Sequence, residues 1–393
     1  MVNKNDICIE TEGVKKVIMN AVSNERSKAV RKVDYNYGID LLRVLAMIMV
    51  IILHLLSHGG IWESSTPLTI HNELAWLLGI GAYCAVNSYA LISGYVGYGK
   101  KRKYSNLFYL YFQVLFYTLT STALFAYFKP EWVTIQLVIN AIIPFLNNTY
   151  WYFIGYFCLF FFMPFFNIAL DTFDKVTIEK LLFTMFIIFS LFPTLFHSDI
   201  AFTNNGFSFL WLSSMYITGA WIKKRKISEM HYNNKINLLV YLICVIFTWF
   251  SKIVIEILNL NIFGNLKDGT YLISYTSPTI IVCSVTLLLF FSRLNCGKCL
   301  IKIIRFFAPA SFGIYLFHEE PLIKNFLIRN KFEHYLSLNS FLIIPAIIFT
   351  ALAIGLIGTI IDKIRLKLFN IMRIRQFCCH IENHILNIRQ DKL

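Results

Sequence analysis

"YGIDLLRVLAMIMVIILHLLSH", residues 37–58, is an apolar run that carries one arginine, Arg43, and one histidine, His54, in its interior. At the 1.5 Å rise of a helix, about 20 mainly apolar residues suffice to cross a bilayer. Hydrocarbon offers no hydrogen-bond partner to a backbone, so a continuous, non-alternating run of this kind reads as a transmembrane helix and not as a barrel strand. The rest of the 393-residue chain repeats the pattern, with 57% hydrophobic residues and 15% charged. That balance leaves too little polar surface to cover a soluble domain. Apolar runs bounded by charge or turn residues fall at roughly 39–57, 74–98, 105–128, 150–170, 181–197, 208–222, 236–258, 271–291, 306–323 and 338–361. The expected fold is therefore an all-α integral membrane protein, a bundle of about ten transmembrane helices.

The formal charge of +14 sorts by position. With both termini cytoplasmic, 29 of the 36 lysines and arginines lie in the termini and in connections on the cytoplasmic side; five lie in outer connections, and Arg43 and Lys252 lie within spans. Lysine and arginine in short loops set orientation, and dropping one span would move "KKRK" at 223–226 outside. The charge is thus read as topology, and no nucleic-acid partner is expected. The chain divides into a basic cytosolic N-terminal arm, 1–36, a transmembrane domain, 37–361, and a basic cytosolic C-terminal tail, 362–393, in the cell (cytoplasmic) membrane. The arm has no apolar core of the kind a signal peptide needs, so the first run reads as a true span. The stretch "WVTIQLVINAIIPFLNN" (132–148) reads as an interfacial or re-entrant helix, because Pro144, Asn147 and Asn148 leave too few residues for a crossing and its turns. Nine cysteines are scattered, several inside apolar runs, and "CGKC" at 296–299 has no second pair, so neither a disulfide framework nor a metal knuckle is expected.

Arg43 and His54 are eleven residues apart, three helical turns, which places both on one face about 16 Å apart. A guanidinium within a span costs about 2.5 kcal/mol or more, so Arg43 is expected to face the bundle interior or a wet cavity. Asp40, three residues earlier, is its local partner, and the pair reads either as a clamp at the helix end or as a contact for an anionic group arriving from the cytoplasm. His54 reads either as a general base, since a neutral imidazole takes a proton near neutral pH, or as a hydrogen-bonding strut between helices. His58 follows one turn later. The pair has zinc-like spacing, but no glutamate lies between them and no third ligand is evident nearby, so no metal is expected. Further polar groups lie in "SYALISGYVGYGKKRK" (88–103), "NTYWYFIGYFCLFFFMPFFN" (148–167) and "APASFGIYLFHEEPLI" (308–323). Tyr150, Trp151 and Tyr152 suit an aromatic belt. Tyr315 and His318, one turn apart and followed by Glu319, Glu320 and Pro321, read either as a site for a polar acceptor or as a helix end with solvated carboxylates. Lys252 and Glu256 are expected to neutralise one another.

Together these segments resemble the bacterial integral-membrane acyltransferase-3 family, whose members acylate sugars of surface polysaccharides, peptidoglycan or small molecules. The likeness covers essentially the whole chain. Asp40, Leu42, Arg43 and His54 match the first-span signature, an arginine, ten residues and a histidine. Ser93, Gly94 and Tyr95 match a Ser-Gly-aromatic element, Trp151 and Pro164 a tryptophan-to-proline segment, and Ser311, Tyr315 and His318 a late Ser…Tyr-Leu-x-His stretch. The resemblance implies a membrane-embedded O-acyltransferase that moves acetyl from acetyl-CoA to a hydroxyl of a cell-surface polysaccharide or its lipid-linked precursor. It makes His54 the base, or a transiently acylated nucleophile, and Arg43 a donor-holding group. Lys100, Lys101, Arg102 and Lys103 would steer the CoA phosphates, and Asp40, Ser93, Tyr95, Trp151, Tyr315 and His318 would bind the acceptor or support the site. The implied partners are the lipid bilayer, acyl-CoA as co-substrate and a glycan acceptor, with no bound cofactor. Where members commonly carry an arginine-rich, proline-containing segment, this chain has "KKRKYSNLFYLYFQ". About 30 residues follow the last span, so the chemistry is expected within the bundle and not in an appended hydrolase-like domain. Two other readings stay open: a transporter or flippase of lipid-linked sugars, whose intramembrane charges would line a path, and a scaffold subunit of a polysaccharide-assembly complex.

Overall fold

The computed structural model describes residues 35–146 and 149–390. The N-terminal arm, 1–36, lies outside the described residues except for Tyr35 and Asn36, as do Asn147 and Asn148. No strand occurs among the described residues. The helices are α1 (Tyr37–Leu56), α2 (Ile70–Ala82), α3 (Ala85–Gly97), α4 (Tyr104–Phe128), α5 (Ile135–Ile142), α6 (Trp151–Thr172), α7 (Lys175–Phe196), α8 (Phe209–Lys224), α9 (Lys235–Phe263), α10 (Pro278–Ser292), α11 (Lys298–Phe307), α12 (Ser311–Glu319), α13 (Pro321–Leu327), α14 (Ser340–Ile371) and α15 (Ile374–Gln390).

Among the described residues, eight helical stretches are long and apolar enough to cross a membrane: α1, α2 with α3, α4, α6, α7, α9, α11 with α12, and α14. The two remaining expected spans fall on α8 and α10, which have only 16 and 15 residues. Their starts explain the shortfall. The Ser208 hydroxyl accepts from the Trp211 N–H at 3.2 Å and caps α8, and Pro278 opens α10 at a position where a missing N–H costs nothing. α8 is buried on almost every face, so its sequence is as uniformly apolar as that of a lipid-facing helix. The segment 132–148 contains only α5, eight residues long and too short to cross, with Ile135, Ile139 and Ile142 on an exposed apolar face.

Helical structure continues past residue 361. α14 runs on to Ile371, and Asp362 and Arg365, placed by the sequence reading in a tail, are buried. Arg365 Nε donates to Asp362 Oδ1 at 2.7 Å, and that oxygen also accepts from Tyr117 and Gln113 of α4 at 3.0 and 3.2 Å. The two charges read as a tail because charge marks a span's end. They are instead a buried ion pair that fastens α14 to α4, and α15 also packs on α4.

α1 sits centrally, against α2, α3, α10, α12 and α14. The closest helix approach is between α3 and α8. A Cβ on Gly94 would stand 1.9 Å from the Tyr216 carbonyl oxygen, and one on Gly219 would stand 2.1 Å from that of Leu91. The two backbones touch, as small residues allow where lipid supplies no hydrophobic drive. The middle residue of the "SGY" element is therefore a packing residue. On the opposite side Lys252 of α9, fully buried, pairs with Glu256 and donates to Glu73 Oε1 and Asn72 Oδ1 of α2, each at 2.8 Å.

Two stability predictions follow from these contacts. Gly94→Val forces α3 and α8 apart and is expected to cost about 1–3 kcal/mol, while Gly297→Ala, with no neighbour within 4 Å of the added carbon, is expected to be neutral. Lys252→Met leaves the buried Glu256 carboxylate and the partly buried Glu73 carboxylate without their cation and is expected to cost about 3–5 kcal/mol. Thermal melts of the purified protein in detergent check both; a Gly94→Val melt equal to wild type would contradict the packing argument.

Candidate active site

α1 carries one stripe of residues, Arg43, Met47, Val50, His54 and Ser57, at alternating steps of four, three, four and three, and all five line a single cavity of about 830 Å³. That spacing follows one face of a helix. The expected shared face of Arg43 and His54 is thus the wall of a tunnel-like space. Opposite walls come from Tyr89 and Ser93 of α3, Trp151, Tyr152 and Tyr156 of α6, and Phe312, Tyr315 and Glu319 of α12. Buried cross-bonds hold these walls. The Tyr89 hydroxyl donates to the Arg43 carbonyl at 2.7 Å and that of Tyr150 to the Leu316 carbonyl at 3.1 Å. Asn87 receives the Trp211 indole N–H at 2.8 Å and donates to the Tyr275 carbonyl at 2.7 Å, which sets the Tyr275 ring in the cavity wall.

At one end, Arg43 pairs with Asp40, which is buried and does not itself line the cavity. The guanidinium keeps about a third of its surface exposed. Among the described residues it is the only lysine or arginine in the lining besides Lys324 at the other end. Near the far end, backbone pairing ties the connection after α1 to the one after α13, with the Asn330 N–H donating to the His58 carbonyl at 2.9 Å and that of Phe332 to the Gly59 carbonyl at 3.0 Å. Gly60 next to them has φ +87°, a conformation that a side chain would strain.

Between the two ends lies the polar centre. His318 Nδ1 is 2.6 Å from the Ile314 carbonyl oxygen, and only an N–H can face a carbonyl, so His318 Nε2 holds the ring's lone pair. His54 Nδ1 faces that lone pair at 2.9 Å and Glu319 Oε1 at 3.0 Å. Both are acceptors, so in neutral His54 the proton sits on Nδ1 and Nε2 is the only basic nitrogen. Glu319 Oε2 is held by the Lys324 ammonium at 3.1 Å, and Oε1 lies 3.7 Å from His58 Nε2. His58 lies beyond the end of α1. Burial lowers its pKa and the Glu319 carboxylate opposes that shift without overcoming it, so its ring is neutral at pH 7.

Ser93, Trp151 and Tyr315 line the cavity, while His318 lies directly behind His54. Tyr95 does not reach the cavity: two residues along a helix turn the side chain by about 200°, and its hydroxyl bonds instead to Ser228 at 2.8 Å. Lys100, Lys101 and Lys103 are exposed and outside the lining. Arg102 folds inward and donates to the Tyr216 hydroxyl at 2.8 Å. Lys324 lines the cavity though its sequence position suggests no role, and Glu319, open between an acceptor site and a solvated helix end, lines it too. Glu319 is one turn beyond Tyr315 on the same face, a spacing that places its carboxylate inside the bundle and not in solvent.

The family model described as an acyltransferase domain, acyltransferase-3, matches residues 36–360. No curated protein and no solved structure matches the chain. The matched range opens at α1 and ends within α14, so it takes in every residue of the cavity wall, and the chain belongs to the acyltransferase-3 family.

Proposed function

We propose that the protein transfers an acetyl group from acetyl-CoA to a hydroxyl of a cell-surface polysaccharide or its lipid-linked precursor, in the cell membrane. The observation that carries this reading is the single cavity with a cation at one end and an oriented imidazole about three helical turns away. Acyl transfer needs a base for the attacking hydroxyl and stabilisation of the charge that develops on the carbonyl oxygen. His54 Nε2 accepts the hydroxyl proton as the acceptor oxygen bonds to the thioester carbon. The tetrahedral intermediate then expels the CoA sulfur, which takes that proton from the imidazolium. Glu319 fixes the tautomer and stabilises the transient cation, and His318 holds the ring plane, the division of labour found in other base-and-orienter pairs.

Arg43 is the group for the donor. A guanidinium matches phosphate or thioester oxygens, and the positive bias of the connections puts its end of α1 at the cytoplasm, where acyl-CoA is made. Arg102 supports that end, and the three exposed lysines add long-range attraction for the CoA phosphates. The acceptor would enter from the end that holds His58, Trp62 and Lys324, past Tyr315. Both termini would then be cytoplasmic and the crossings about ten, with α8 and α10 completing the set inside the bundle.

Purified protein supplied with acetyl-CoA and a glycan acceptor should release free CoA thiol, which a flippase would not do. His54→Ala is expected to lower kcat by about 10²–10⁴-fold. Glu319→Gln keeps the shape, removes the charge and should lower kcat with little change in the donor KM, whereas Arg43→Ala should chiefly raise the donor KM. Wild-type rates in His54→Ala at equal membrane levels would end the assignment. Mass spectrometry of surface glycans, with and without the protein, reads the acceptor as the loss of one acetyl ester.

A further inference from the structure

We propose that the far mouth of the cavity is also a binding site for a divalent transition-metal ion of the zinc class, held by His54, His58 and Glu319, and that an ion seated there takes His54 out of use as a base. The ion site stands on geometry alone; its consequence for catalysis rests on the acyl-transfer reading above. The three side chains each offer one nitrogen or oxygen atom, and these atoms all lie within 4.8 Å of one another. Glu319 Oε1 is 3.0 Å from His54 Nδ1 and 3.7 Å from His58 Nε2. A tetrahedral ion with bonds of about 2.0–2.1 Å needs ligand atoms about 3.3–3.4 Å apart. The two separations from Glu319 bracket that value, and no pair of the ligand atoms is more than 4.8 Å apart, so closing the site takes a rotation of the exposed His58 side chain toward His54.

The donor set favours one class of ion. Two imidazoles and one carboxylate suit zinc, cobalt or nickel, whereas magnesium and calcium seek oxygen alone. Three protein ligands leave a fourth position open toward the cavity, filled by water. The His58 side chain is 42% exposed, which gives an ion a way in. Lys324 has two effects on the site: it holds Glu319 Oε2 at 3.1 Å, leaving Oε1 for the ion, and its charge repels a cation. The ring proton explains how an ion would silence His54. An ion bonded to Nδ1 displaces the proton there, and in the neutral ring that proton moves to Nε2. The nitrogen that would accept the hydroxyl proton then carries a proton of its own, and no net proton leaves the ring.

The test uses the full chain in detergent, purified without a histidine tag and stripped with chelator, in a Cys296→Ser/Cys299→Ser background that removes the closely spaced cysteine pair. Cobalt(II) is the first probe, read by its visible absorption, and zinc(II) the second, read by calorimetry. One ion per chain is expected, with affinity lowered at least about tenfold by His58→Ala or Glu319→Gln and raised by Lys324→Met. No saturable binding, or affinity unchanged in both ligand variants, overturns the site. His58 lies outside α1 and is exposed, so its replacement is expected to fold; if it does not, Glu319→Gln still decides, since it removes the carboxylate ligand while keeping the side chain's shape. Zinc should inhibit acetyl-CoA consumption by the wild type at concentrations at least about tenfold below those needed for His58→Ala, and equal sensitivity overturns the silencing. Ion binding that follows the variants in a protein that never consumes acetyl-CoA supports the site and counts against the acyl-transfer reading instead.

Discussion

Hydrocarbon offers nothing for Arg43, His54, Lys252, Glu256, Asp362 or Arg365 to bond to, and each of these side chains is turned onto a polar partner that the chain itself supplies. The cost of the alternative is several kcal/mol for each group, larger than any single packing contact in the bundle. This constraint orders the fold. The Lys252 cluster fixes α9 against α2, and the Asp362–Arg365 pair fixes α14 against α4. The His54–His318–Glu319 cluster fixes α12 against α1. The first two clusters are closed and have no share in the cavity wall, whereas the third opens onto a space that can admit a substrate.

The same constraint explains which parts of the molecule the sequence reveals. A charge inside an apolar run must face inward, so the shared face of Arg43 and His54, the Arg43–Asp40 pair and the Lys252–Glu256 pair all follow from spacing and desolvation, without tertiary information. Groups at the ends of runs carry no such compulsion. Asp362 and Arg365 follow an apolar run and look like the start of a tail; only their contacts with Tyr117 and Gln113, 245 and 249 residues away from Asp362 in sequence, show them buried. Glu319 was ambiguous for the same reason. Tyr95, matched with Ser93 in the Ser-Gly-aromatic element, is turned away from the cavity by helix rotation. Long-range pairing is also why His58 had no third ligand in the sequence: Glu319 is more than 250 residues away and reaches it only because α12 packs on α1.

Two consecutive carboxylates, Glu319 and Glu320, show how the backbone sorts side chains into different tasks. α12 ends at Glu319, and Glu320 adopts an extended conformation, φ −58° and ψ 128°, ahead of Pro321. Proline disfavours helical geometry in the residue before it, so the break sits where the sequence demands. Because the helix stops there, Glu320 does not continue the face of His318 or Glu319. Its carboxylate caps α13, accepting from the Ile323 N–H at 3.0 Å, and faces a second, smaller cavity of about 310 Å³ lined by Thr122, Gln136 and Asn140. Thr149 borders both cavities. Had α12 run one turn further, Glu320 would have followed Glu319 by a rotation of about 100° and the cap of α13 would be lost. The break at Pro321 leaves Glu319 as the sole carboxylate among the described residues of the larger cavity's wall, 3.0 Å from His54 Nδ1 and steadied by Lys324. A second carboxylate beside it would compete for the proton on that nitrogen and draw it toward a shared site, and the imidazole would no longer present a single basic nitrogen.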